Sequence, residues 1–143
     1  MKSHIYMLVG VPGSGKTWVA DQVKSELDYL PHDDFPNHKV YVSAIKQLAT
    51  NNPKSVLIET PFSVSDIFTP LTESLFRITP LFIIESLETT TQRYEKREGK
   101  AIPPGHLTRI NTYLDRAYEL DAFVGTSEQV LVHLNRLIKK ETK

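Results

Sequence analysis

An apolar run from Ile5 to Val9 leads straight into Gly10-Val11-Pro12-Gly13-Ser14-Gly15-Lys16-Thr17, and no other stretch restricts the possible folds as tightly. The octet fills the pattern G-x-x-x-x-G-K-[ST] of a phosphate-binding loop, and WVADQVKSEL after it reads as a helix from Gly15 to about Leu27. A buried strand, a glycine-rich turn and a helix start, in that order, gather backbone N–H groups and the positive end of a helix around one anion. Gly10, Gly13 and Gly15 leave the backbone free to curve around phosphate, with Ser14 inside the same cradle. Lys16 is expected to reach the beta and gamma phosphates of a nucleoside triphosphate, and Thr17 to give its hydroxyl to magnesium.

Composition limits what surrounds this loop. At 143 residues and 40% hydrophobic content, the chain suits one domain with a real core and is cramped for two. Basic and acidic residues both number 17, so no global charge draws it to nucleic acid or an anionic membrane, although a local basic patch is still compatible with that balance. Cysteine is absent, which excludes disulfides, thiolate catalysis and Cys-ligated zinc and fits a cytoplasmic location. The opening MKSHIYMLVG is too short an apolar run for a signal peptide or a spanning helix, and it is needed for the first strand, so no membrane partner is expected.

Downstream, Asp28 to Pro31 is a short strand candidate that delivers His32-Asp33-Asp34-Phe35-Pro36. Two adjacent carboxylates just past a strand end are where a kinase keeps the base that activates its acceptor; an Asx turn or a helix cap explains the same residues equally well. Residues 39–51 read as a helix with Val40, Ile45 and Leu48 on or near one face, stopped at Asn51-Asn52-Pro53. Ser55 to Glu59 is a strand ending on an acid, followed by Thr60, at the position of a magnesium-orienting acid. Glu59 is longer than the usual Asp, so contact through water or with substrate stands beside direct coordination, and a plain polar strand end stands beside both. Thr60 either donates to a phosphate or caps a turn.

A helix around Ser65 to Phe76, broken or bent near Pro70, is followed by a clearer strand from Pro80 to Glu85 and a charged helix from Glu88 to about Arg97. Arg93 and Arg97 are four apart and share a face of that helix, Gly99 ends it, and Lys100 to Pro104 forms a stiffened loop. Phosphoryl transfer spreads negative charge that arginines on a mobile segment can stabilise, so residues 92–105 read as a small lid; a solvated charged helix with a proline turn is the plainer account. Leu107 to Leu120 is a further helix bearing Arg109, Asp121 to Gly125 a fifth strand candidate, and Ser127 to Lys139 a closing helix whose Thr126-Ser127 start either borders a nucleobase or caps the helix.

Five short strands alternating with helices predict an α/β fold: a P-loop NTPase-type three-layer sandwich with a five-stranded, mainly parallel sheet and a small lid, its ligands at the carboxyl ends of the strands. The expected chemistry is that of an ATP- and magnesium-dependent kinase. A GTPase would carry an Asn-Lys-x-Asp base-reading loop, and none is present.

GVPGSGKTWVA, HDDF at 32–35, LIETPF at 57–62 and above all YEKREGKAIPPGHLTRI at 94–110 resemble the kinase domain of T-even phage polynucleotide kinase and its relatives, over a span from Ile5 to about Tyr118. The resemblance implies that Asp33 is the general base, that Lys16 and Arg97 hold the transferring phosphoryl group, that Arg93 is a second lid contact to the donor phosphates, and that Glu59 and Thr60 lie near the acceptor, with Asp34 and Lys39 beside it. The sequence departs from that family in two places: Pro36 stands where the acceptor-phosphate arginine is expected, leaving Lys39 as the nearest basic substitute, and the acid at 59 is Glu. The implied acceptor is a nucleic-acid hydroxyl, at a 5′ end or on a modified base such as 5-hydroxymethyluracil in phage DNA. The alternatives are a kinase of small molecules (nucleoside, nucleotide, sugar or antibiotic-like hydroxyl) and a nucleotide-binding regulatory protein.

Overall fold

The computed structural model describes residues 4–11, 14–51, 54–60, 64–74 and 76–141. Its elements run β1 (His4–Val9), α1 (Lys16–Val23), β2 (Asp28–Leu30), a 3-10 turn (His32–Asp34), α2 (His38–Asn51), β3 (Val56–Thr60), α3 (Val64–Glu73), β4 (Arg77–Ile83), α4 (Leu87–Glu98), α5 (Pro104–Glu119), β5 (Phe123–Gly125) and α6 (Ser127–Glu141). The sheet has the order β2-β3-β1-β4-β5, and every pairing in it is parallel.

Parallel strands need covering on both faces, and the strand sequences show why they are covered here. Along β1, Ile5, Met7 and Val9 point to one face, where α2, α3 and α5 supply Ile45, Ile67, Leu71 and Tyr113. Tyr6 and Leu8 point to the other, against Val19 and Ala20 of α1 and Val130 and Leu134 of α6. The same alternation continues in β3 (Val56 and Ile58 against Leu57) and β4 (Phe82 against Leu81 and Ile83). Two apolar cores on one sheet make the three layers, and the sequential order reverses direction on either side of β1. Open α/β sheets take ligands at such a switch, in the crevice at the carboxyl ends of the strands, and the phosphate loop leaves β1 there.

Several expected boundaries are corrected. The first helix stops at Val23 instead of reaching Leu27, because the chain must turn to bury Leu27 and bring Asp28 N to Ser55 O at 3.0 Å, which starts β2 beside β3. On α2, Val40 is 43% exposed; Tyr41, Val42, Ile45 and Ala49 face inward, while Leu48 packs at the margin. Tyr41 sets that rotation, since its hydroxyl donates to Leu30 O at 2.6 Å and accepts from Glu59 N at 3.1 Å. Pro70 lies inside α3 without ending it. The fourth strand begins earlier than Pro80, at Arg77, and tolerates that proline because β5 pairs only with Leu81 to Ile83, so no ladder bond is lost on the β5 side. The third strand extends to Thr60, the fifth begins only at Phe123, and α6 continues to Glu141. The stiff loop is shorter than expected, because α5 already starts at Pro104, in the first-turn position that suits a residue without N–H.

Candidate active site

Gly10 is dictated by its neighbours: a Cβ there would lie 2.4 Å from Ser14 Oγ and 3.0 Å from Ile83 O. Ser14 N closes the turn onto Val11 O at 3.0 Å. Gly15 sits at φ +105°, in the left-handed region, where a Cβ would also approach Ser127 Cβ at 2.9 Å and Arg93 Nη1 at 3.1 Å. Gly13, with Pro12, lies outside the described residues. The Ser14 hydroxyl is buried with no hydrogen-bond partner among the described residues, an orphan group in a cradle that only glycines can line. Such a cradle fits a phosphate chain.

Lys16 opens α1 and folds back over the loop, its ammonium donating to Gly10 O at 2.6 Å. Burial lowers it from 10.5 to about 8; Glu59 opposes that shift, Arg97 adds to it and Asp33 opposes it. Thr17 is the next residue and is exposed. No group of three or more His, Cys, Asp or Glu side chains able to hold a metal exists among the described residues. The exposed Thr17 hydroxyl, beside Lys16 at the start of α1, is an oxygen donor of the kind a magnesium ion takes.

On the acceptor side, Asp33 and Asp34 lie in the 3-10 turn after β2. The Asp33 side chain is 98% exposed and points no closer than 4.0 Å to the His32 ring. Glu59, by contrast, is buried and committed: its carboxylate accepts from Tyr29 Oη at 3.0 Å and His32 N at 3.3 Å. Those bonds tie the end of β3 to the turn that carries Asp33. Thr60, fully buried beside Val9, has no partner for its hydroxyl among the described residues. His32 and His38 approach ring to ring at 5.2 Å, and Lys39 is exposed on the first turn of α2.

On the opposite side, α4 is capped by Ser86, whose hydroxyl accepts from Thr89 N, and ends at Gly99 in the left-handed conformation. Arg97 is exposed, bonded to its neighbour Glu98 at 3.1 Å and lying 6.0 Å from the Tyr94 ring centroid. Arg93 is differently placed: its Nη1 donates to Ser14 O at 3.2 Å and lies 3.6 Å from Glu85 Oε1. Arg109 lies on α5 and hydrogen-bonds Tyr113. A cavity of about 340 Å³ opens beside this point, lined by Gly15, Trp18, Arg93, Ser127 and Glu128. A larger one, about 580 Å³, lies at the far end of α5 with Asp121 as its single charged wall and none of the groups above.

The structure thus lays Lys16 over Gly10 O, ties Glu59 to the turn that carries Asp33, and sets Ser14 and Gly15 against Arg93, while Arg97 stays exposed beside Glu98. The sequence reading missed Glu85. That carboxylate accepts from Ser127 N at 2.8 Å and Ser127 Oγ at 2.7 Å, joining the end of β4, the start of α6 and the arginine of α4. The signal was present, since LFIIE ends on an acid just as VLIE does. Thr126 caps α6 reciprocally with Gln129: Thr126 N donates to Gln129 Oε1 at 2.9 Å, and Gln129 N to Thr126 Oγ1 at 3.3 Å.

No protein-family model and no curated protein matches the chain. Solved structures do. A gluconokinase from Sinorhizobium meliloti 1021 superposes with TM-score 0.63 at 16% identity, over 99% of this chain and 95% of its own. A shikimate kinase from Acinetobacter baumannii, in complex with shikimate, gives TM-score 0.62 at 17% identity, over 99% and 95%. A de novo designed P-loop fold protein matches as well, with TM-score 0.57 at 13% identity, over 98% and 93%. These likenesses correct the resemblance to polynucleotide kinase, together with the phage and DNA-modification associations it brought: the natural kinases the fold matches here are named for small molecules. The segments behind that resemblance occupy elements that a P-loop fold supplies generally, HDDF in the turn after β2, LIET in a core strand, and YEKREGKAIPPGHLTRI running from α4 through Gly99 into α5. What the likenesses establish is the architecture: an α/β protein of the P-loop NTPase type, with a three-layer sandwich around a five-stranded parallel sheet.

Proposed function

We propose that this protein transfers the gamma-phosphoryl group of ATP to a hydroxyl of a small polyhydroxylated molecule, working as one kinase domain with a lid at about 92–105. The reading rests on one convergence. Lys16 folds over Gly10 O in the phosphate loop, Glu59 at the end of β3 holds the turn that carries Asp33, and Arg93 of α4 donates to Ser14 O, so loop, strand end, turn and helix are tied together at the carboxyl ends of the strands. Gluconokinase and shikimate kinase, among the fold's likenesses, are named for acceptors of that class. The surroundings of Asp33 agree with it: Tyr29, His32 and His38 stand near that turn, and Pro36 follows it where an arginine would grip an acceptor phosphate.

In this reading the acceptor hydroxyl gives its proton to Asp33 as its oxygen attacks the gamma phosphorus, and the bond to the beta–gamma bridging oxygen breaks to release ADP. Lys16 holds the beta and gamma oxygens, and Arg97, carried inward by the lid, stabilises the charge that spreads over the moving group. Thr17 would hold a magnesium ion together with the donor phosphates, and that ion would supply neutralisation of the charge on them. Glu59 contributes by holding the base-bearing turn through Tyr29 and His32 N, while Asp34 and Lys39 stand beside the acceptor entrance and the Thr60 hydroxyl awaits a polar group of the substrate.

The test is label transfer from gamma-labelled ATP with magnesium to a panel of sugars, sugar acids, hydroxylated ring acids and nucleosides, alongside a 5′-hydroxyl oligonucleotide. A labelled small molecule, lost in Asp33→Asn, is the expected result. Hydrolysis of ATP without transfer to any hydroxyl, or transfer undiminished in Asp33→Asn, overturns the reading.

A further inference from the structure

Trp18 is the single tryptophan of the chain, and folding leaves it unexplained. The buried face of α1 is Val19, Ala20 and Val23, whereas Trp18 is 44% exposed. One exposed aromatic means little by itself. Its surroundings add the argument. Trp18 lines the 340 Å³ cavity in which the phosphate loop, α1, α4 and α6 meet, a volume in the range of small-ligand sites. The other walls are held in place: Glu85 fixes Ser127 through its N–H and hydroxyl and lies 3.6 Å from Arg93, and Arg93 donates to Ser14 O. Gly15 forms the passage, since any side chain there would strike Ser127 and Arg93.

The direction of the donor decides what enters. In the kinase reading the gamma phosphate lies at Lys16, and Gly15, the residue before it in the loop, lines this cavity, which gives the other end of a triphosphate a route into it. An indole and a guanidinium on the walls of one cavity are the two side-chain types that bind a flat π-system by its faces. Polar reading of the base edge is sparse, because the Ser127 hydroxyl proton is already given to Glu85, which leaves the Glu128 carboxylate, an acceptor, and the N–H groups of Arg93 among the lining side chains.

We propose that Trp18 is the stacking platform for the donor's nucleobase, so that this chain selects a purine nucleoside triphosphate by π-surface and discriminates weakly between adenine and guanine. The proposal rests on the kinase reading for the direction of the donor, and its test separates the two. Trp18 itself reports: its emission is followed while magnesium complexes of ATP, GTP, UTP and inorganic tripolyphosphate are added, and calorimetry repeats the titrations on Trp18→Ala and Trp18→Phe. ATP and GTP are expected to quench the emission and tripolyphosphate to leave it unchanged. Trp18→Ala should weaken ATP and GTP by about 10- to 100-fold, the range of base–aromatic stacking, with tripolyphosphate unchanged and Trp18→Phe largely restored. Equal weakening of ATP and tripolyphosphate, or no weakening of either, overturns the stacking role while leaving the kinase reading intact. Failure of the wild type to bind either compound overturns both.

Discussion

At the carboxyl ends of the strands Asp33 stands 98% exposed, and the Ser14 and Thr60 hydroxyls are buried without partners among the described residues. At the amino ends, beside Asp28 Oδ2, which is buried without a hydrogen-bond partner among the described residues, one cluster of polar groups is bonded within itself. His4 Nδ1 meets Glu141 Oε1 at 2.7 Å, His4 Nε2 contacts the Thr79 hydroxyl, Ser55 Oγ donates to Glu141 Oε2 at 2.8 Å, and Arg77 reaches His4 at 3.3 Å. That second network fastens the last turn of α6 to the start of the sheet. The sheet therefore carries one end with an exposed carboxylate and two unpartnered buried hydroxyls, and another end with a polar cluster that is bonded within itself.

The largest test of that contrast is at the exposed end. Asp33→Asn should lower kcat by about 10²- to 10⁴-fold, the range for a general base, with donor affinity and thermal midpoint unchanged because the side chain is 98% exposed and its pairing with His32, at 4.0 Å, is loose. Kinetics with the identified acceptor and a thermal melt check the two halves. Next, Arg97→Ala should cost about 10²- to 10³-fold in kcat with little change in the KM for ATP, again without loss of stability; a change confined to KM would make Arg97 a ground-state contact.

Glu59→Leu should break the simple contrast, since Glu59 lies at the functional end yet is spent on structure. Removing its carboxylate leaves Tyr29 Oη and His32 N without their acceptor and should cost about 1–3 kcal/mol in denaturant unfolding, together with a fall in kcat as the Asp33 turn loosens.

The smallest expected effect is at the amino ends, in the pH dependence of stability. Burial pulls His4 below 6.5 in the fold, against the hydrogen bond and charge of Glu141 and with the help of Arg77. A depressed histidine contributes stability that is present above pH 6.5 and is lost as the pH falls through the folded value. Burial alone would raise Glu141, but hydrogen bonds from Ser55, Tyr6 and His4 and the charge of His4 outweigh it and leave the carboxyl below 4.5. Its contribution is therefore also lost as acid is added, now as the pH falls from 4.5 through the lowered value. Thermal midpoints measured from pH 7.5 to 4 should decline on the acid side, and His4→Gln should flatten the part of that decline just below pH 6.5 while leaving activity at pH 7.5 intact.

Much of the donor side was legible in the sequence. A strand, a glycine-rich loop and a helix start specify a phosphate cradle through local geometry, and Gly10 and Gly15 occupy the positions where a side chain would collide or the backbone turns left-handed. The Arg93–Arg97 spacing correctly put both on one helix, yet it did not separate them: one donates to the phosphate loop and the other pairs with its neighbour Glu98. The resemblance to polynucleotide kinase failed for a related reason. Short matching segments describe the phosphate loop, the turn after β2 and the run from α4 into α5, and the identity of an acceptor depends on walls that come from elsewhere in the chain.

By itself the sequence determined the α/β class, the parallel order implied by strands alternating with helices, the two-faced burial of β1 and the positions of Lys16, Asp33 and Arg97 after their strands or on their helix. Those features are local, encoded in periodicity and turn chemistry over a few residues. Only the tertiary structure decided which polar groups meet. Glu59 finds Tyr29 and His32 across separations of 30 and 27 residues, Glu85 finds Ser127 across 42, and Arg93 finds Ser14 across 79. A carboxylate or guanidinium in a sequence names a charge, and its partner is set by which strands and helices the packing of the core has brought side by side.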